Sequence, residues 1–328
     1  MPENEKIAAG LKNGGNTRVL NDQFGRPSEM VYIRKFRWPD LFEGGRDSVC
    51  PAFIVEGREV DGIYISKYQN YVENGCAYSQ KGRTPATNLT IDEARIFCSS
   101  KGKGWHLVSN AEWFAVACWC RKQAISASRA ETEQMPEGFA VTGKGWEFVA
   151  GLRLFNGEIQ MIPNNDSAAN VDESRTSSRW RAVSRDGELI YPGKQETFCL
   201  DGVGEGNTRQ DVHEIGGGAV LAGSVRRPQF TKGPSDRDFG CTCILQKELK
   251  AESEICVPDL IRMAGVGISG NASERDDILY VRNYGERIAI RGGNWELADG
   301  AGPFALYLSH SREVCSQANG FRAAFCRL

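Results

Sequence analysis

Two helices with clear start signals stand close together in this chain, and among so many short β-type runs they do most to limit its fold. Thr90-Ile-Asp-Glu93 and Ser109-Asn-Ala-Glu112 are both capping boxes. In each, an N-cap hydroxyl and a carboxylate three residues on satisfy orphan backbone donors of a first helical turn. The first predicts a helix with Ala94, Phe97 and Cys98 on one side. The second predicts a helix with Trp113, Val116, Ala117 and Cys120 at helical spacing, ending near Lys122. Between them, Gly102-Lys-Gly104 is a break and Trp105-His-Leu-Val108 a short extended link. Elsewhere the apolar residues fall in short β-type runs bounded by Gly, Pro, Asn or Asp. These are Met30–Arg34, Ala52–Val55, Gly62–Tyr68, Glu147–Leu154, Glu158–Ile162, Leu189–Tyr191, Ile288–Ile290 and Phe321–Phe325. With no internal repeat and no heptads, two helices among many short irregular strands predict a single α+β domain.

The domain is expected to span 30–328, behind a flexible, polar lead-in at 1–29. The stretch 167–240, rich in Ser, Arg, Asp and Gly, reads as an irregular insertion. A formal net charge of -2 offers no broad phosphate-binding face, which argues against nucleic acid as a partner. No run is long and apolar enough for membrane insertion, and the N-terminal residues lack the apolar core of a signal peptide. Eleven cysteines without a leader read as reduced, buried thiols. The alternative, zinc held by Cys241, Cys243 and Cys256, lacks the usual knuckle spacing and any nearby His. No cofactor is expected.

Catalytic patterns are sparse. His106, His213 and His310 are the only histidines, and His106 lies in an apolar run that suits a core or linking role. No HExxH, GxSxG or P-loop pattern occurs. Residues 294–319 interleave polar, small and aromatic side chains with no period of two or 3.6. That pattern fits an ordinary surface loop or a recognition surface, where Tyr gives rigid contact area at low entropic cost.

Four segments, in order, resemble the formylglycine-generating-enzyme branch of the C-type lectin fold. They are Gly62-Ile-Tyr-Ile-Ser-Lys-Tyr68; Thr84 to Arg95 with Trp105 to Trp113; Gly143-Lys-Gly-Trp-Glu-Phe148; and Arg291-Gly-Gly-Asn-Trp295 with Gly320-Phe-Arg322. Gly151-Leu-Arg-Leu154, Gly157-Glu-Ile-Gln160, Ile162-Pro-Asn-Asn165 and Gly302-Pro-Phe-Ala-Leu306 further resemble viral and prophage proteins targeted by diversity-generating retroelements.

The resemblance implies a C-type lectin fold of the formylglycine-generating-enzyme subtype and a variable segment at 291–328. The catalytic cysteine pair of that enzyme type falls on Leu297 and Gly302, so no enzymatic activity is expected. The family's calcium-binding Asn falls on Lys144, so no metal is expected either. Randomised adenines in Asn codons can yield Leu297, Asp299, Gly300, Tyr307, Ser309, His310, Val314, Cys315 and Ala318, which are the implied variable, ligand-contacting positions. Trp295, Phe304 and Arg322 are the implied scaffold, together with Leu306, Leu308 and Arg312, and Tyr307 is the expected anchor. The implied function is a non-catalytic binder of a protein or glycan ligand, such as a cell-surface receptor, of the viral or prophage adhesin type. Such a chain would be virion-associated, or cytoplasmic before assembly. An oxidase acting on protein cysteines is the alternative.

Overall fold

A computed structural model describes residues 17–40, 47–122, 145–203, 218–226, 242–253, 255–266, 277–293 and 301–328. Strands β1 (Thr17–Asn21), β2 (Pro27–Arg34) and β3 (Gly62–Ser66) pair antiparallel in succession. Helix α1 (Ile91–Ser99), strand β4 (Trp105–Leu107) and helix α2 (Asn110–Lys122) follow. Both capping boxes form: Glu93 N donates to Thr90 Oγ1 at 3.3 Å while Thr90 N donates to Glu93 Oε2 at 2.8 Å. At the second helix, Glu112 N donates to Ser109 Oγ at 3.1 Å and Ser109 N to Glu112 Oε2 at 2.9 Å.

The long strand β5 (Trp146–Phe155) turns into β6 (Glu158–Met161), and β7 (Cys199–Val203), β8 (Gly218–Ala222), β9 (Thr242–Leu245) and β10 (Ile278–Val281) follow. The last four strands are β11 (Glu286–Arg291), β12 (Leu306–Leu308), β13 (Asn319–Phe321) and β14 (Ala323–Phe325). The fold is mixed α+β, with two sheets of size. The smaller has the order β1-β2-β3-β14-β4; the larger runs β9-β10-β12-β11-β5-β6-β7-β8 and ends on Lys250–Ala251, with β13 added parallel to the first residues of β5.

Two apolar layers pack on the larger sheet. Trp113, Phe114, Val116 and Cys120 of α2 meet Val149, Leu152, Leu154, Phe304, Leu306 and Leu308 on one side. Ala94 and Cys98 of α1, with Trp105 and Leu107, meet Phe148, Ile288, Ile290 and Phe321 on the other. Within β5 the side-chain alternation changes phase at Gly151. Phe148 and Ala150 face the α1 layer, whereas Leu152 and Leu154 face the α2 layer. Gly151 has φ +79°, and a Cβ there would lie 2.5 Å from Ser167 Oγ, so only glycine fits this bulge.

Two expectations about domain layout are corrected. The lead-in does not reach residue 29, because 17–21 and 27–34 form a paired hairpin. The stretch 167–240 is not an irregular insertion throughout: Arg181–Val183, β7 and β8 pair into the larger sheet through β6. Its low apolar content hid strands that are short and that find their partners elsewhere in the chain. Among the described residues, no helix is long and apolar enough to cross a membrane.

Candidate functional site

The C-terminal segment enters the core as β12, which runs parallel to β10 and antiparallel to β11. Leu306 and Leu308 point into the α2 layer, so period two sends Tyr307 to the opposite face. There its ring centroid lies 4.7 Å from Tyr280, 5.3 Å from Trp146 and 4.5 Å from His310. The cluster is nearly closed to solvent, His310 keeping 9 % exposure and Tyr307 6 %. Asn319 Nδ2 donates to His310 Nδ1 at 3.3 Å, which requires a neutral imidazole bare at that nitrogen. Burial, and secondarily the Arg287 guanidinium, push His310 down to about 4.

Beyond this cluster the segment is pinned and then released. Arg312 donates to both oxygens of buried Glu286 at 3.1 Å, to Asp92 Oδ1 at 2.7 Å and to the Glu173 carbonyl at 2.8 Å. It thereby ties the segment to β11 and α1. Glu313, Cys315, Gln317 and Ala318 then face solvent. The loop is held at its far end, where Asn88 N donates to Ser316 O at 3.0 Å and Trp146 N to Ala318 O at 2.9 Å. Ser309 Oγ, Ser311 Oγ and Asn319 Oδ1 are buried with no hydrogen-bond partner.

The scaffold residues sit as scaffold. Phe304 is 3 % exposed and meets the Phe114 ring edge-on at 5.8 Å. Arg322 is buried, donating to Glu147 Oε2 at 2.7 Å, Glu147 Oε1 at 3.0 Å and the carbonyls of Ser66 and Lys67. Phe321 is fully buried, and Phe325 is half-buried between Tyr64 and Trp105.

The expectation of a solvent-facing display is corrected at four positions. Tyr307, Ser309, His310 and Val314 are buried: Tyr307 belongs to β12, an interior strand with neighbours on both sides, and His310 packs on its ring. Tyr307 is therefore not an exposed anchor. Cys315 and Ala318 are exposed. Leu297, Asp299, Gly300 and Trp295 lie outside the described residues, as do Lys144 and Cys241. Reading the residues missed Tyr280 and Trp146 as partners of this cluster; the β-type run Ile278-Leu-Tyr-Val281 was the available signal.

The thiols are mostly interior. Cys326 is fully buried and pushed up to about 12 by burial, and Cys243 up to about 11, while Cys256 and Cys315 are exposed. His106 is a core residue, its ring nitrogens 2.9 Å from the Gly104 carbonyl and from Glu112 Oε1. Among the described residues, no group of three or more His, Cys, Asp or Glu side chains is placed to hold a metal ion. No protein-family model matches the chain, and neither does any curated protein sequence.

Proposed function

We propose that the chain is a non-catalytic ligand-binding protein of the variable kind, on a C-type lectin-like frame of the formylglycine-generating type. Its C-terminal segment would meet a protein or glycan on another surface, as a viral or prophage adhesin does. The observation that carries this reading is the division of labour within 301–328. Phe304, Leu306, Leu308, Phe321 and Arg322 fix the backbone in the core, while Glu313, Cys315, Gln317 and Ala318 of the loop between them turn outward. Unused hydrogen-bonding capacity at Ser309, Ser311 and Asn319 adjoins that loop in the chain, and unsatisfied buried polar groups call for an explanation such as a binding role.

In this reading Cys315, Ala318 and their exposed neighbours make direct contact, joined by Leu297, Asp299 and Gly300. Tyr307, Ser309, His310 and Val314 act from beneath by setting the loop's course. The frame tolerates loop variation because its energy lies in the core and not in the loop side chains. Neither a cofactor nor nucleic acid nor membrane insertion enters the reading.

Two measurements test it. The encoding genome should hold an adenine-rich near-copy of the coding sequence for 291–328 beside a reverse-transcriptase gene, and its absence overturns the variable reading. Incubation with a cysteine-containing peptide should leave the peptide's mass unchanged. Conversion of the thiol to formylglycine would move the protein to the oxidase class.

A further inference from the structure

Where the chain from 185–189 faces 256–263 there is a groove of about 670 Å³, with Val49 and Ile54 on a third side. That volume lies within the ordinary range of ligand pockets. Its lining is aliphatic. Leu189, Val257, Leu260 and Met263 pack by part of their surface against the α2 core layer and remain half-buried, their outer parts turned to the groove. The groove takes no residue from 301–328, so it is distinct from the C-terminal loop.

Along one wall the sheet ends. Among the described residues, Leu189–Ile190 pairs only with Arg181–Val183, whose other side is taken by β6. Backbone bonds alternate along an antiparallel pair, so every second residue faces away from its partner strand. Ser184 N donates to the Glu188 carbonyl at 2.9 Å, and Leu189, the next residue, therefore turns its own N–H and carbonyl to the open edge. An extended peptide can pair with such an edge, and period two then sends its alternate side chains to one face. Here that edge borders an apolar groove. The mouth is also charged. Arg262 lies 3.8 Å from Asp259 and Arg185 4.0 Å from Glu196, so each cation has a carboxylate of its own. Asp186 and Glu188, both exposed and beside Leu189, have no ionic partner among the described residues.

We infer that the groove docks an extended apolar segment of a partner protein, with a lysine or arginine beside the apolar run. The segment adds a strand at Leu189, lays alternate apolar side chains into the groove, and brings its cation to Asp186 and Glu188. Three features meet in this one occupant: an apolar wall, an open backbone edge and two unmatched carboxylates. A fatty acid would use the wall alone, and its own carboxylate would be repelled by the other two.

Two exposed thiols supply the test. Cys256 lines the groove, whereas Cys315 sits on the C-terminal loop outside it. Alkylation of the whole chain by iodoacetamide, followed at each thiol by mass mapping, reads occupancy at the first and carries its control at the second. The probe is the end-capped hexapeptide Lys-Leu-Thr-Val-Thr-Lys, whose apolar residues share one face when extended. It should slow alkylation of Cys256 saturably and leave Cys315 unchanged. Asp186→Asn with Glu188→Gln should weaken its apparent Kd about fivefold, the worth of two exposed ion pairs, and high salt should act in the same direction. Methylating the peptide's backbone nitrogens should abolish protection, because edge pairing needs their hydrogens. Cys256 unreactive in the free protein, no protection by the probe, equal slowing at Cys315, or equal protection by the methylated or a Glu-flanked peptide would each overturn the assignment.

Discussion

His310 shows how one side chain's partners fix its charge and, through it, the acid limb of stability. The hydrogen bond from Asn319 requires the neutral ring, and the folded state holds the proton off until about pH 4. The unfolded chain binds that proton near pH 6.5, so between these values it carries more protons than the folded one. Stability therefore falls as pH drops from 6.5 to 4. His106 works the other way. Burial opposes its charged form, but Glu112 and the Gly104 carbonyl more than offset this and raise its pKa. Its contribution is full below pH 6.5 and is lost as pH rises through the folded value. His310→Gln should remove the first effect alone, flattening the acid loss of stability by up to about 3 kcal/mol. Melts from pH 4 to 7 on both proteins check this, and parallel profiles would sink it. The sequence did not disclose this burial. Tyr, Ser and His serve equally on a loop or in a core, and the short alternation Phe304, Leu306, Leu308 was too brief to mark a strand unaided.

The elements most legible from sequence were those whose signals are local. Both helices start where their capping boxes place them, since cap, first-turn carboxylate and apolar spacing lie within a few residues. Thr90→Ala should cost about 1 kcal/mol, the ordinary worth of an N-cap hydroxyl. Ser109→Ala should cost more, about 2 kcal/mol, because Ser109 Oγ also donates to buried Asn165 Oδ1 at 2.6 Å and its loss leaves that acceptor with one partner fewer. Urea unfolding of the two variants gives the comparison, and equal costs would mean the Asn165 bond contributes nothing. Strands that depend on distant partners were not legible. Gly151 marks the phase shift of β5 at a place where Ser167 leaves no room for a side chain, and β7 and β8 owe their place to pairing with β6 and each other. No window of sequence contains such contacts.

For the molecule as a whole, residues 319–325 belong to both sheets and reinforce the link that Ala150 N makes to the Val108 carbonyl at 3.0 Å. β13 extends the larger sheet beside Trp146–Phe148, and β14 fills the gap between β3 and β4 in the smaller one. Arg322, between them, links Glu147 to the carbonyls of Ser66 and Lys67. Ending the chain after Ala318 should thus abolish a single cooperative unfolding transition, along with the protected amides of β3 and β4. A truncated protein that melts sharply near the full-length temperature would refute this. The sequence reading gave the segment scaffold residues such as Phe304 and Arg322, but not the completion of two sheets. The synthesis of the protein inherits a constraint from this arrangement. Arg322 reaches back across 256 residues to Ser66, so the ribosome must build almost all of the chain described here before either sheet can close. Until then β3 and β4 lack the strand that lies between them and β5 lacks β11 and β13, so unpaired strand edges stand open to self-association. Both sheets thus stay incomplete through synthesis up to residue 325, however early the helices form.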